Sequence, residues 1–127
     1  MSFERVWSGS PWEGKVGYCR AVKAGPHVHV SGTTPMADGQ VVAPGDAYAQ
    51  TRRCLEIALG ALAELGGSAA HVVRVRMFVT DISRWQEYGR AHGEVFAAHP
   101  PTNTMVEVKA LIDPAILVEV ELEAYLG

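Results

Sequence analysis

Three glutamates, Glu119, Glu121 and Glu123, occupy alternate positions near the end of the sequence. Side chains two residues apart on a β-strand share one face of the sheet, so this spacing gathers the carboxylates on one surface. Like charges side by side repel each other unless cations neutralise them or water solvates them. Two interpretations follow. Either the face is solvated, or it meets a neighbouring subunit with Arg74 and Arg76 supplying the opposite charge. A carboxylate enclosed at such an interface could act as a general base.

A second pair of candidate residues, His27 and His29, has the strand spacing that some metal-binding pairs use. No third ligand is suggested nearby, so ordinary surface or interface histidines are the favoured interpretation. Cys19 and Cys54 lack any paired-motif spacing, and we expect two free thiols in a reducing compartment. The motifs of common nucleophilic and nucleotide-binding enzymes do not occur. We therefore expect no metal and no cofactor.

The charge balance argues against a polyanionic partner. The chain of 127 residues has 11 Lys and Arg against 14 Asp and Glu, which gives a net charge of -3 at pH 7. Affinity for nucleic acid comes mainly from basic side chains that meet phosphates, so no nucleic-acid partner is expected. The N-terminus has no signal-peptide pattern, and no apolar run approaches the ~18 residues of a membrane span. We predict a cytoplasmic protein without a membrane partner, folded as a single domain over residues 1–127.

Two helices are predicted from helical periodicity and capping residues. The first begins at Asp46, a natural N-cap, and its apolar stripe runs to Leu65, where the glycines at 66–67 end it. The second opens at Ser83, with Gln86 placed to complete a capping box. Its apolar or aromatic face comprises Trp85, Tyr88, His92, Val95 and Phe96.

Six strands are predicted, at residues 3–7, 18–23, 27–31, 72–80, 104–109 and 116–125. The fourth strand has period-two alternation, and its apolar face carries Val73, Val75, Met77 and Val79. The connections at 8–17 and 32–45 are rich in Gly, Ser and Pro and are predicted to be loops. The order β-β-β-α-β-α-β-β predicts an α+β domain with two helices packed on one face of a mixed sheet.

Four segments resemble motifs that one protein family carries in the same order. Residues 17–22 (Gly-Tyr-Cys-Arg-Ala-Val) resemble a Pro-Tyr-Ser-Gln-Ala-Val segment, and residues 28–32 resemble a strand ending in Ser-Gly-Gln. Residues 72–81 match a strand that runs into an aspartate, and residues 117–121 are similar to a Leu-Val-Glu-Ile-Glu signature. On these motifs the sequence resembles the Rid family, the YjgF-type reactive intermediate deaminases that are also labelled endoribonuclease L-PSP.

The resemblance implies a chorismate-mutase-like α+β fold and a homotrimer with clefts between its subunits. It also implies hydrolysis of reactive imines or enamines to keto acids and ammonia. A non-catalytic trimer that binds a small metabolite in the same cleft is the alternative. The family's older ribonuclease label gains no support from the acidic charge balance.

By position, the resemblance assigns the catalytic role to Glu119, as the carboxylate that positions or activates the attacking water. It also implies that Tyr18 and the pair Ser31 and Gly32 contribute to the substrate pocket.

The family's substrate-gripping arginine has no counterpart at the matching position. Asn103 stands there, and an amide cannot supply the charged fork that holds a carboxylate. Asn103 and Met105 remain expected substrate-binding positions on the same strand. Arg20 replaces a family glutamine and shares a strand face with Tyr18. Two hypotheses are open for Arg20: it brings a cation to the same pocket, or it is a surface or interface charge.

Overall fold

The structure is a computed structural model that describes residues 3–127. Six strands form one mixed sheet in the order β1-β2-β3-β8-β6-β7, and β4 and β5 form a separate hairpin. Only β6 and β7 pair in parallel; the other neighbours within the described sheet are antiparallel. The elements in chain order are β1 (Glu4–Val6), α1 (Pro11–Val16), β2 (Ala21–Ala24), β3 (His27–Thr33), β4 (Met36–Ala37), β5 (Gln40–Val41), α2 (Ala47–Glu64), β6 (Val72–Val79), α3 (Trp85–Phe96), β7 (Thr102–Glu107) and β8 (Val118–Tyr125).

This architecture confirms the predicted fold class, a mixed six-stranded sheet with helices. The apolar core lies between the sheet and the helices, where Leu55 and Leu62 of α2 and Tyr88 and Phe96 of α3 are buried. Burying a side chain of this size contributes about 1.5–3 kcal/mol. Among residues 3–127, no helix combines the length and the apolar character needed to cross a membrane.

Strand β8 separates the core from the polar face of the sheet. Its core side carries Val118, Val120, Leu122 and Ala124, all buried. The intervening glutamates are only partly buried on the opposite side. The alternation that the sequence predicts for this strand is therefore confirmed.

The start of β6 departs from the predicted alternation. Val73 is 50% exposed, whereas its neighbour Val72 is buried in the core. The register between β6 and β8 shifts between Val72 and Arg74, so two steps along β6 oppose one step along β8. This β-bulge turns Val73 away from the core. Placing Val73 on the core-facing side with Val75 was therefore wrong.

Both segments that were predicted to be loops contain short regular elements. Ser10 accepts a hydrogen bond from the backbone N–H of Trp12 and caps α1, which ends at Gly17 with a φ of 90°. A serine followed by proline is a helix start, and glycine tolerates that left-handed conformation. The second segment contains the β4–β5 hairpin.

Helix α3 begins later than the sequence predicts. Asp81 accepts a hydrogen bond from the backbone N–H of Ser83 (3.0 Å) and caps a 3₁₀ turn, Ile82–Arg84, that leads into Trp85. The predicted capping box of Ser83 and Gln86 therefore does not form the N-terminus of α3. Trp85 is 56% exposed and does not join the buried face of α3.

Gln50 holds the backbone segment that leads into β8 by hydrogen bonds from its side chain. Its side chain is fully buried, and its Nε2 donates to the carbonyls of Val42 (3.1 Å) and Ala115 (2.9 Å). Its Oε1 accepts from the backbone N–H of Leu117 (2.8 Å). Helix α2 thereby holds the residues that immediately precede the glutamate strand.

We predict that Gln50→Leu lowers the free energy of unfolding by about 2–4 kcal/mol. The apolar replacement leaves buried backbone groups unpaired, and each such group costs about 1–3 kcal/mol. Urea unfolding followed by circular dichroism at fixed protein concentration measures the change. The matched control is Gln86→Leu at an exposed position, where we expect a change within about 0.5 kcal/mol. Equal changes in the two variants would contradict the role given to Gln50.

Candidate functional site

A cleft of about 840 Å³ opens beside the start of β8. Residues of α1, β3, the β4–β5 hairpin and α2 also line it. Four of the candidate residues from the sequence meet in this cleft: Tyr18, Arg20, Gly32 and Glu119.

The carboxylate of Glu119 packs against the backbone of Gly32. A methyl group on Gly32 would overlap Oε2 of Glu119 and would lie 3.1 Å from its carboxyl carbon. Gly32 is not among the glycines with positive φ, so the need for glycine here is one of space. The register between β3 and β8 shifts between Val30 and Thr33, and this irregularity contains Gly32. The irregular segment and the absent side chain together make room for the carboxylate.

Arg20 lies in the cleft and is only 9% exposed. Its Nη2 donates to the carbonyl oxygen of Gly32 (2.7 Å), and its guanidinium carbon lies 5.7 Å from the centre of the Tyr18 ring. Its Nε is buried and has no hydrogen-bond partner within residues 3–127. A buried charge with an unmet donor is costly. This burial argues against an open surface charge, and a pocket cation and an interface charge both stay predictions for Arg20.

The surroundings of Glu119 raise the pKa of its carboxyl group above the ordinary value. Burial is the main cause, because it penalises the charged form. The positive charge of Arg20 acts in the opposite direction, and the nearby Glu121 raises the pKa further. A carboxylate with a raised pKa accepts a proton from water more readily, as a general base must.

Cys54 lies directly behind Glu119 and belongs to the core. Its thiol is fully buried, with Sγ 3.6 Å from the carbonyl oxygen of Val118. Burial raises the pKa of this thiol, and the negative charge of Glu119 raises it further. A neutral, enclosed thiol is unsuited to nucleophilic attack. Cys54 therefore serves packing.

Asn103 and Met105 lie apart from this cleft within one chain. Both are on β7, where Asn103 pairs with the core residue Val75 and places its Nδ2 3.3 Å from Sδ of Met77. Met105 packs against the core. Glu119 points to the opposite face of the sheet. One chain thus does not bring these two positions to Glu119, and their part in substrate binding remains a prediction.

Ser31 lines a different pocket from its neighbour Gly32. Its hydroxyl donates to the carbonyl oxygen of Cys19 (2.7 Å), and it lines a smaller pocket of about 230 Å³ on the polar face of the sheet. His29 and Glu123 line the same pocket. Within residues 3–127 no hydrogen bond joins Ser31 to Glu119, and the substrate-binding role of Ser31 stays a prediction.

An arginine of the same chain, Arg76, partly neutralises the sheet face on which Glu121 and Glu123 lie. Nη1 of Arg76 lies 3.2 Å from Oε1 of both Glu121 and Glu123, while Nδ1 of His29 lies 4.0 Å from Oε1 of Glu123. Part of the opposite charge that was predicted to come from a neighbouring subunit therefore comes from Arg76 of the same chain. Within the described residues, no group of three or more His, Cys, Asp or Glu side chains is arranged to hold a metal ion.

Several residues that line the cleft were not predicted from the sequence, among them Trp12, Asp38 and Arg53. Nε of Arg53 donates to the carbonyl oxygen of Met36 (2.8 Å), and Nη1 forms an ion pair with Glu56 (2.9 Å). No sequence signal separates these residues from ordinary surface residues, because their place depends on how the hairpin folds over α2.

We predict that Glu119→Gln raises the free energy of unfolding at pH 8. A carboxyl group whose pKa is higher in the folded state lowers stability as the pH rises from its unfolded pKa through its folded pKa. The amide removes that loss. Below about pH 4, where ordinary glutamates are largely protonated, the two proteins should be equally stable.

Urea unfolding between pH 4 and 8 measures this difference. The matched control is Glu64→Gln on the exposed end of α2, where we expect a change in the free energy of unfolding within about 0.5 kcal/mol. A Glu119→Gln protein that is less stable than the wild type at pH 8 would contradict the assigned environment.

Comparisons with known proteins agree on one family. Residues 11–126 match the family model described as Endoribonuclease L-PSP. An uncharacterised protein of Streptomyces coelicolor is 42% identical over 123 residues, which cover 97% of this chain and 92% of that protein. A RutC family protein of Pyrococcus abyssi is 32% identical over 110 residues, 85% of each chain.

A solved structure shows the same fold. The crystal structure of a YjgF/YER057c/UK114 family member from Mycobacterium tuberculosis matches with a TM-score of 0.89 at 48% identity. The match covers 98% of this chain and 99% of that one. The chain therefore belongs to the endoribonuclease L-PSP family, the YjgF or Rid group to which its sequence motifs point.

Proposed function

We propose that this protein hydrolyses reactive imines or enamines to a carbonyl compound and ammonia. The observation that supports this proposal is the partly buried carboxylate of Glu119, held against Gly32 in a cleft that also contains Arg20. A general base beside a cation, in a cleft open to water, is a sufficient set for adding water across a C=N bond.

Glu119 acts on the attacking water. It accepts a proton as the water oxygen forms a bond to the carbon of the protonated imine (C=NH2⁺), and the π electrons of the C=N bond move onto nitrogen, which becomes a neutral NH2 group. The proton then passes from Glu119 to that nitrogen. The hydroxyl oxygen next forms the carbonyl as the C–N bond breaks and ammonia leaves, and its proton returns to solvent. The sequence of steps is balanced without an oxidant or reductant.

Arg20 supplies the positive charge that Asn103 cannot. A guanidinium group has five N–H donors, and one of its terminal nitrogens already binds the carbonyl oxygen of Gly32. The remaining donors and the charge favour an anionic group of the substrate in the same cleft. Tyr18 lies against Arg20 and helps to hold it in place.

The proposal includes assembly into a homotrimer with the site between subunits. Asn103 and Met105 lie on the edge strand β7, on the opposite face of the sheet from Glu119. Only a second copy could bring a β7 strand to this cleft. Native mass spectrometry tests the assembly, and a monomer at micromolar concentration would exclude the shared site.

The uncharged Asn103 favours one alternative, a non-catalytic binder of a small metabolite in the same cleft. Under this alternative the wild type does not accelerate hydrolysis. Keto acids still bind, and Glu119→Gln leaves their affinity largely unchanged.

We predict that Glu119→Gln lowers kcat/KM for imine hydrolysis by about 10²–10⁴-fold, the usual contribution of a general base. The wild-type rate should fall as the pH drops through the raised pKa of Glu119, because only the charged form accepts a proton. The variant should lack this dependence. Keto-acid release from freshly generated imines, corrected for uncatalysed hydrolysis, measures both effects.

The control is again Glu64→Gln, which should retain wild-type activity. An absence of acceleration by the wild type with small, aromatic and acidic imines would exclude the proposed activity. Equal activity in wild type and Glu119→Gln would exclude Glu119 as the base.

A further inference from the structure

We infer that Glu13 is a positioning residue for the cleft, although its own side chain does not line it. The buried carboxylate of Glu13 fixes helix α1, and α1 in turn sets the place of Tyr18 against Arg20. This assignment rests on the proposed function, because it gives Glu13 a part in how Arg20 binds the substrate anion. Glu13 affects the strength of that binding and not the chemical step.

Glu13 is an acidic residue in an unusual place. It belongs to the six-residue helix α1, whose other residues are all exposed, yet only 3% of its own surface is exposed. Acidic side chains are almost never buried to this extent unless they are paired or hydrogen-bonded, because burial removes their hydration. The proposed mechanism gives this carboxylate no part. Its hydrogen-bond partners therefore show what the burial achieves.

The carboxylate of Glu13 binds Ser8, which lies just beyond the edge strand β1. Its Oε1 and Oε2 accept from the backbone N–H of Ser8 (3.1 and 3.3 Å), and Oε2 also accepts from the Ser8 hydroxyl. The same hydroxyl oxygen accepts from the backbone N–H of Ser10 (3.3 Å), the residue that caps α1. The carboxylate thus ties the start of α1 to the end of β1.

The main chain of Glu13 holds the segment that carries Tyr18. Its carbonyl oxygen accepts from the backbone N–H groups of Gly17 (2.9 Å) and Tyr18 (3.1 Å). The Tyr18 ring lies 5.7 Å from the guanidinium carbon of Arg20, and the backbone N–H of Arg20 donates to the carbonyl oxygen of Val6 in β1 (2.8 Å). A shift of α1 relative to β1 would therefore change how Tyr18 meets Arg20.

A purely structural role and a positioning role predict different kinetics. Loss of stability alone lowers the fraction of folded protein, which reduces the apparent kcat and leaves KM unchanged. A displaced Tyr18 weakens the hold of Arg20 on the substrate anion in every folded molecule, so KM rises. A mutation that raises KM with kcat unchanged has removed an interaction made equally with the substrate and the transition state.

The test compares Glu13→Ala with Glu13→Gln, whose amide keeps an oxygen for the backbone N–H of Ser8 and an NH2 group for its hydroxyl oxygen. The substrate is the imine that the wild type hydrolyses fastest. We expect Glu13→Ala to raise KM by at least about 5-fold and to change kcat by less than about 2-fold, since a hydrogen bond to a charged group is weakened and not lost. Glu13→Gln should restore the wild-type KM.

The matched control is Tyr88→Phe. It removes a hydrogen bond to the carbonyl oxygen of Asp81 (3.2 Å) outside the cleft and should keep the wild-type KM. An unchanged KM in folded Glu13→Ala, or an equal rise in Tyr88→Phe, would overturn the role of Glu13 and leave the hydrolase intact. If Glu13→Ala does not fold, Ser8→Ala decides by the same criteria, with an expected rise in KM of about 3-fold because only the hydroxyl is removed.

Failure of the proposed function leaves a test that needs no ligand. If the wild type hydrolyses no imine, hydrogen exchange of backbone amides is measured instead. Glu13→Ala should speed exchange at Tyr18 by at least about 10-fold relative to Leu122 in the central strand β8, because the opening is local. Glu13→Gln should not. Equal acceleration at both amides, or none at either, would overturn the role of Glu13.

Discussion

The close approach of the Glu119 carboxylate to Gly32 is the constraint on which the candidate site depends. A charged group is held partly out of water at a point where any larger residue on β3 would displace it. The space exists because β3 is irregular between Val30 and Thr33. The same carbonyl of Gly32 holds the guanidinium of Arg20. One glycine thus positions both charged groups of the cleft.

The rest of the fold supports this contact from the core side. The residues that flank Glu119, Val118 and Val120, are completely buried, which leaves β8 little freedom to move. Gln50 holds the chain just before β8. The favourable burial on one face of the strand offsets the unfavourable desolvation of the carboxylate on the other. Functional residues are commonly held in such destabilising surroundings.

Periodicity and capping residues predicted the six strands and two long helices, because those signals are local. The same alternation placed Glu119, Glu121 and Glu123 on one face of the sheet, and the family resemblance singled out Glu119. The bulge at Val73 was not predictable in this way, since it depends on the register with β8. The position of Arg53 in the cleft and the separation of Asn103 from Glu119 were also not predictable, because both depend on packing between distant segments. The family resemblance assigned both Asn103 and Glu119 to the site, but the strand order decides that a single chain keeps them apart.

A carbon-13 NMR titration of the Glu119 side-chain carboxyl group tests most directly whether the contact with Gly32 creates the site. The resonance is assigned by its absence in Glu119→Gln. We expect a wild-type midpoint above the ordinary glutamate value of about 4.3, and a return towards that value in Gly32→Ala, where the added methyl group displaces the carboxylate. An ordinary midpoint in the wild type, or a raised midpoint that Gly32→Ala leaves unchanged, would contradict the claim that this contact creates the site.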